Sequence, residues 1–321
     1  MSTTPHRNPK PHWVIEDEVF DASETNALIE ELKKQNIDHT LVPYGWYRKC
    51  RIDGPDSPVA HLNAATDDDI SNCVLYRGSI DGAQLVTTEL DWTPGVYCNL
   101  SGLSFRRLLE PLGDLLLNHD CLLVPVGKLM MVDYLNQLLE QFNTDRLFVR
   151  PNSGGKQFTG QIVTRDTHTR FAKELSASGL SGHDLTVVAS VKPILIEGRC
   201  LVVNSEFSIG SFYNAAKVQF TKSKMPELIN IVSSGMAQTV QKAAQRYNPL
   251  YDSAFIIDVA AVLPTDAPAV ITDEHIQTLT YKVVEYNSFS CAALYTTPPE
   301  LYVERVTKAM INDWTQFHYP D

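Results

Sequence analysis

"YKVVEYNSF", residues 281–289, is apolar over a strand's length except where it sets Glu285 and Asn287 two residues apart. In a strand, side chains at that spacing project from one face. "FIIDVAAVL", residues 255–263, interrupts a second apolar strand in the same way with Asp258. A buried carboxylate without a partner is expensive, so both interruptions ask for a reason. If the two strands are neighbours, three hard oxygen donors converge, a fitting set of ligands for Mg²⁺ or, in its place, Mn²⁺. The competing reading is three acids and amides that merely sit near strand ends.

A second stretch, "LFVRPNSGGKQFTG" at 147–160, is a short strand that ends in Arg150 and Pro151 and loosens into Ser153, Gly154, Gly155 and Lys156. Its glycines would let backbone amides approach a ligand closely, as a phosphate requires. The G-x-x-x-x-G-K-[ST] spacing of a Walker A loop is absent. Taken singly, the stretch reads as a hairpin with two solvated cations. Its weight comes from chain order: Lys128 at a helix start, then Arg150, Lys156, "ASVKPILIEGR" at 189–199, Asp258 and the Glu285/Asn287 pair.

In that order, and over about residues 126–296, the sequence resembles the ATP-grasp superfamily, most closely in "FIIDVA" and "VVEYN". The resemblance implies an α/β fold with a small N-terminal α/β pre-grasp domain, residues 1–125, and an ATP-grasp domain, residues 126–321. In the latter, two α+β subdomains, 126–194 and 195–321, would clamp ATP. Lys128 resembles the first nucleotide lysine, Arg150 the cation on the α- and β-phosphates, and Lys156 the cation of a loop that closes over the β- and γ-phosphates. The hinge that offers backbone groups to adenine falls on Ser190 to Ile194, with Lys192 between, and Glu197 resembles the acid that takes the ribose hydroxyls. Arg199 would reach the γ-phosphate or an acyl-phosphate, although a surface ion pair explains Glu197 and Arg199 equally well. Asp258, Glu285 and Asn287 are the implied metal ligands.

The sequence departs from the commonest pattern at Arg150, where most members carry Lys. "RP…K-x-F-T-G" looks like a branch found in bacteriophage and bacterial genomes. Arg keeps the charge and adds a planar fork for phosphate oxygens. Tyr213 and Lys217 fall in a segment where a substrate-side cation is common, and Arg77, Gly78 and Ser79 end a strand where substrate would bind.

Around these stretches the chain alternates strand and helix patterns. "HWVIED", "SETNALIEELKKQN" with Ser23 as N-cap, and "DHTLVPY" open it as β-α-β after about 12 residues expected to lack order. "NCVLYRGSI", the helix-like "SFRRLLEPLGDLLLN" and the strand "CLLVPV" complete the first layer. One helix over "GKLMMVDYLNQLLEQFN" leads into 147–160, an antiparallel pair is expected from 194–213, and residues 225–247 carry the longest helical pattern. A last helix, 299–317, puts Tyr302, Val306, Met310, Trp314 and Phe317 on one stripe, read as core.

The 321 residues, 44% hydrophobic, can bury a sizeable core, and the formal net charge of −11 argues against a nucleic-acid partner. Six scattered cysteines and the lack of an apolar leader or span point to a cytoplasmic protein away from membranes. A monomer or a homodimer is expected. Taken with the resemblance, the expected activity is that of an ATP-dependent carboxylate–amine ligase acting through an acyl-phosphate, with a peptide or protein terminus among its substrates. The alternatives are a kinase-like phosphotransferase on the same fold and a nucleotide-binding module without turnover.

Overall fold

The computed structural model describes residues 9–48, 57–63, 72–215, 225–249, 252–264 and 273–320. Lys217 and the acidic run at 66–69 lie outside the described residues.

Among the described residues, three four-stranded sheets follow one another along the chain. The first is parallel and contains β1 (His12–Glu16), α1 (Ala22–Lys34), β2 (Asp38–Val42), α2 (Ala60–Asn63), β3 (Cys73–Arg77), α3 (Ile80–Glu89) and β4 (Thr93–Gly95), in the order β2-β1-β3-β4. Order begins earlier than the sequence suggested, since Pro9 is already buried. The N-cap of α1 is Asp21 rather than Ser23: the Asp21 carboxylate accepts from the Ser23 backbone N–H at 2.8 Å. An acid there also complements the helix dipole.

Helix α4 (Phe105–Leu112) connects to the second sheet, which is antiparallel. It contains β5 (Leu122–Pro125), α5 (Val126–Leu129), α6 (Val132–Gln141), β6 (Arg146–Pro151), β7 (Gln161–Thr164), α7 (His168–Ala177) and β8 (Leu185–Ser190), in the order β5-β8-β6-β7. The strand "CLLVPV", read above as the end of the first layer, thus pairs with β8 in the second. The single helix expected over 127–143 is broken in two at Met130–Met131.

The third sheet is antiparallel. Strands β9 (Ile194–Val203) and β10 (Glu206–Ala215), helix α8 (Met225–Arg246), β11 (Ala254–Val262), α9 (Asp273–Gln277) and β12 (Thr280–Ser288) give the order β10-β9-β11-β12. Every residue of β11 is buried, as its near-continuous apolar run requires. Helix α10 (Pro299–His318) then returns to the first sheet, where Tyr302, Val306, Met310 and Trp314 pack with Trp13, Leu28 and Leu75. Phe317 is the exception on its stripe, 71% exposed. No helix among the described residues is long and apolar enough to cross a membrane.

Candidate active site

Strand register brings the charged residues together. Asp258 in β11 lies opposite Arg199 of β9 on one side and Glu285 of β12 on the other, so three ionisable side chains form one row across the third sheet. The register of β11 with β12 slips after Asp258: Asp258 faces Glu285, but Val259 faces Val283, leaving Val284 as the extra residue of a bulge. Val284 O, outside that ladder, accepts from Arg150 Nη1 at 3.2 Å. Arg150, at the end of β6, also reaches Glu285 Oε2 through Nη2 at 2.5 Å. The bulge is where the second and third sheets join.

The buried end of the row is a bidentate pair. Arg199 Nε donates to Asp258 Oδ1 at 2.8 Å and Nη2 to Oδ2 at 2.6 Å, while Nη1 donates to Ala293 O at 2.8 Å. The Arg199 guanidinium lies 5.3 Å from the Tyr213 ring centroid and 4.8 Å from that of Tyr295. Burial pushes the Asp258 carboxyl up to about 6 against the pull of Arg199. Burial acts the same way on Glu285, but Arg150, the Asn287 amide and Lys156 outweigh it and hold that carboxyl below the usual range. Asn287 Nδ2 donates to Asp258 Oδ2 at 3.1 Å and to Glu285 Oε1 at 3.0 Å.

These contacts divide the three expected metal ligands. Glu285 opens onto the cleft, with Asn287 beside it, and a carboxylate with a neighbouring amide oxygen fits a hard divalent cation. Asp258 differs from expectation: it is wholly buried, both its oxygens are taken by Arg199, and it serves as that cation's counter-charge. Arg199 is correspondingly no surface ion pair.

Two cavities meet at this point. One, about 520 Å³, is lined by Arg150, Ser153, Lys156, Arg199, Tyr213, Glu285 and Tyr295 among others. The other, about 320 Å³, is lined by Leu117, Ile162, Ser190, Lys192 and Ile194. Phe148, Gly160, Glu197 and Val284 line both. The expected hinge residues and the expected phosphate cations therefore occupy adjoining compartments of one cleft. Lys192 Nζ is held by Asp120 Oδ2 at 2.6 Å and Ser190 Oγ at 2.7 Å, and Glu197 accepts from the Tyr213 hydroxyl at 2.6 Å.

Three sets of expected residues stand outside the two compartments or have partners within the fold. Lys128 sits exposed on the short α5, its ammonium 5.9 Å from the Tyr134 ring, and lines neither compartment, because the break after α5 turns it away. Gly154 packs against Leu103: a Cβ there would meet Leu103 Cβ at 2.8 Å. Arg77 and Ser79 have partners within the fold. Arg77 is buried between Glu24, at 2.5 Å, and Phe289 O, at 2.7 Å, and Ser79 Oγ caps α3 by accepting from Gly82 N at 3.1 Å. Conversely, Tyr295, Phe148 and Val284 belong to the cleft and carried no signal in the sequence, being single apolar or aromatic residues placed there by a turn, by β6 and by the bulge.

The fold is similar to that of solved ATP-grasp ligases. Over 95% of this chain and 99% of the other, it superposes on a D-cycloserine synthetase with a TM-score of 0.52 at 10% identity. The D-alanine–D-alanine ligase of Bacillus anthracis matches over 95% and 98% with a TM-score of 0.50 at 11% identity. The ATP-grasp ligase PsnB, solved with a minimal precursor, matches over 96% and 100% with a TM-score of 0.50 at 9% identity. No protein-family model matches the chain, and no curated protein matches it in sequence.

Proposed function

We propose that the protein is an ATP-dependent carboxylate–amine ligase that activates its carboxylate as an acyl-phosphate. The observation that carries this reading is the two-compartment cleft, apolar with a polar rim at the hinge end and cationic at the Arg150 and Lys156 end, joined through Glu197. Adenine suits the compartment of Leu117, Ile162, Ile194 and Val284, Glu197 accepts from the ribose hydroxyls, and Arg150 and Lys156 take the phosphates. Glu285 and Asn287 would hold Mg²⁺, which when bound neutralises charge on the terminal phosphates.

Phosphate competes with Glu285 for Arg150, so the 2.5 Å pair opens as nucleotide enters. Lys156, exposed on its turn, is free to follow the terminal phosphoryl group. Arg199 has five N–H donors, of which three go to Asp258 and Ala293, and it lines the cationic compartment. The remaining donors suit the oxyanion that forms when an amine attacks the acyl-phosphate. No side-chain nucleophile is needed. The fold's likeness to ligases that join carboxylates to amines, and to one solved with a precursor, supports a peptide or protein terminus as the substrate class.

Calorimetric titration of ATP with Mg²⁺ tests this on the parent chain and on Glu285→Gln. Losing one charge-assisted contact of about 1.5–3 kcal/mol weakens binding roughly 10- to 100-fold in the variant. Binding to the parent justifies a search for acceptors by ADP release, with a new amide expected and a phosphorylated product pointing to the kinase-like alternative. Absence of ATP binding to the parent overturns the proposal.

A further inference from the structure

Cys98 and Cys291 meet where the segment leaving the first sheet passes the turn that follows β12. Their Sγ atoms are 3.5 Å apart although 193 positions separate them in the chain. Both are partly exposed, whereas Cys73 and Cys200 are buried. Cys98 lines an open cavity of about 410 Å³ with Val86, Trp92, Asn99 and Asp252, so a small oxidant has a route to its sulfur. The Cys291 side is held in place: its backbone N–H donates to Ser288 Oγ at 3.0 Å, and its sulfur lies 3.6 Å from Ser79 O.

The two thiols are unequal. The hydrogen bond from Cys291 is the largest influence holding the Cys98 thiol below its usual range; burial and the Asp252 charge oppose it, and Ser288 and then Lys156 assist. Cys291 is pushed well above its usual range, first by that same contact and then by burial. Cys98 is thus the sulfur that lines the cavity and is the more readily ionised of the two, with Cys291 beside it.

We propose that Cys98 and Cys291 form a reversible dithiol–disulfide pair, a modification site for hydrogen peroxide or a comparable hydroperoxide. The Cys98 thiolate attacks the peroxide, breaking its O–O bond, and becomes a sulfenic acid while hydroxide leaves. The Cys291 sulfur then attacks the Cys98 sulfur, and the S–O bond breaks as the hydroxyl leaves with a proton as water. Two thiols and one peroxide thus give one disulfide and two waters. The bond staples the start of the 98–103 segment, whose Leu103 backs Gly154, to the turn that supplies Ala293 O and Tyr295 to Arg199. It closes a very long loop, which favours stabilisation through the unfolded chain.

The full-length protein, reduced and freed of reductant, is treated with a small molar excess of hydrogen peroxide, and its free thiols are counted in denaturant before peptide mapping. The expected result is the loss of two thiols per chain, a crosslink mapped to Cys98 and Cys291, a melting temperature raised by several degrees, and full reversal by dithiothreitol. In Cys291→Ser, dimedone should trap a sulfenic acid at Cys98, and in Cys98→Ser the Cys291 thiol should stay reduced. A full thiol count after peroxide, a crosslink elsewhere, or oxidation of Cys98 to sulfinic acid without a bond overturns the proposal. The mapping needs only the parent chain, so a variant that fails to fold leaves the test intact.

Discussion

Asp258 shows how one side chain can hold a sheet and a site together. Its carboxylate is fully buried and tolerable there only because Arg199 meets both oxygens. Removing one partner of such a pair strands the other charge, at a cost of about 3–5 kcal/mol. Asp258→Asn is therefore expected to lower the urea unfolding free energy by that amount, before any effect on nucleotide is considered. Asp252 gives a pH signature. Burial pushes its carboxyl up to about 7, against the hydrogen bond from Asn99 N and with repulsion from Asp313. A carboxyl whose folded pKa is raised contributes stability that is fully present below its unfolded value of 3.8 and lost as pH rises through about 7. Melting temperature should fall over that window, and Asp252→Asn should flatten the fall, which is at most about 1.4 kcal/mol per pH unit from this group. An unchanged slope in the variant would remove Asp252 as its source.

Helix α8 and strand β12 approach each other through one missing side chain. A Cβ at Gly235 would stand 2.2 Å from the Tyr281 ring, too close without displacement of the ring or the helix. Glycine inside a helix ordinarily costs about 1 kcal/mol relative to alanine, so Gly235→Ala on propensity alone would stabilise. Overpacking of about 1–3 kcal/mol acts in the other direction. The expected outcome is net destabilisation in chemical denaturation, reversed in the double variant Gly235→Ala with Tyr281→Ala. The bulge at Val284 is a device of the same scale. One extra residue in β12 frees a carbonyl for Arg150 and so fixes where the second sheet docks on the third.

Across the whole molecule, α10 closes the chain on its beginning. Trp13 Nε1 donates to Thr307 Oγ1 on α10 at 3.1 Å, and Trp314 Nε1 on α10 donates to Asn72 Oδ1, just before β3, at 2.6 Å. The same core takes in Leu201 and Ile256 of the third sheet. Trp314→Ala should cost about 3–5 kcal/mol and lower the melting temperature of the whole chain in one transition, whereas Phe317→Ala, on an exposed ring, should fall within about 0.5 kcal/mol. Separate transitions in Trp314→Ala would mean that the first sheet folds without α10. Arg77 works at this scale too: paired with Glu24 and bonded to Phe289 O, it ties the first sheet to the turn after β12.

Local pattern determined much of this protein. The β-α-β opening, the antiparallel pair β9–β10, the long α8 and the two apolar strands each broken by acids were legible because side-chain periodicity follows backbone geometry. The residues of the cleft were legible where chemistry forces an exception to that pattern, as at Glu285 in an apolar strand or Arg150 before a Gly-rich turn. Position along the chain did not show that Lys128, on the short α5, lines neither compartment of the cleft, or that Gly154 also makes room for Leu103. Register, the Val284 bulge, the burial of Asp258 against Arg199, the arrival of Tyr295 and the meeting of Cys98 with Cys291 were decided only by tertiary structure. Each depends on contact between segments far apart in sequence, and the free energy of such a contact has no counterpart in the local pattern of either segment.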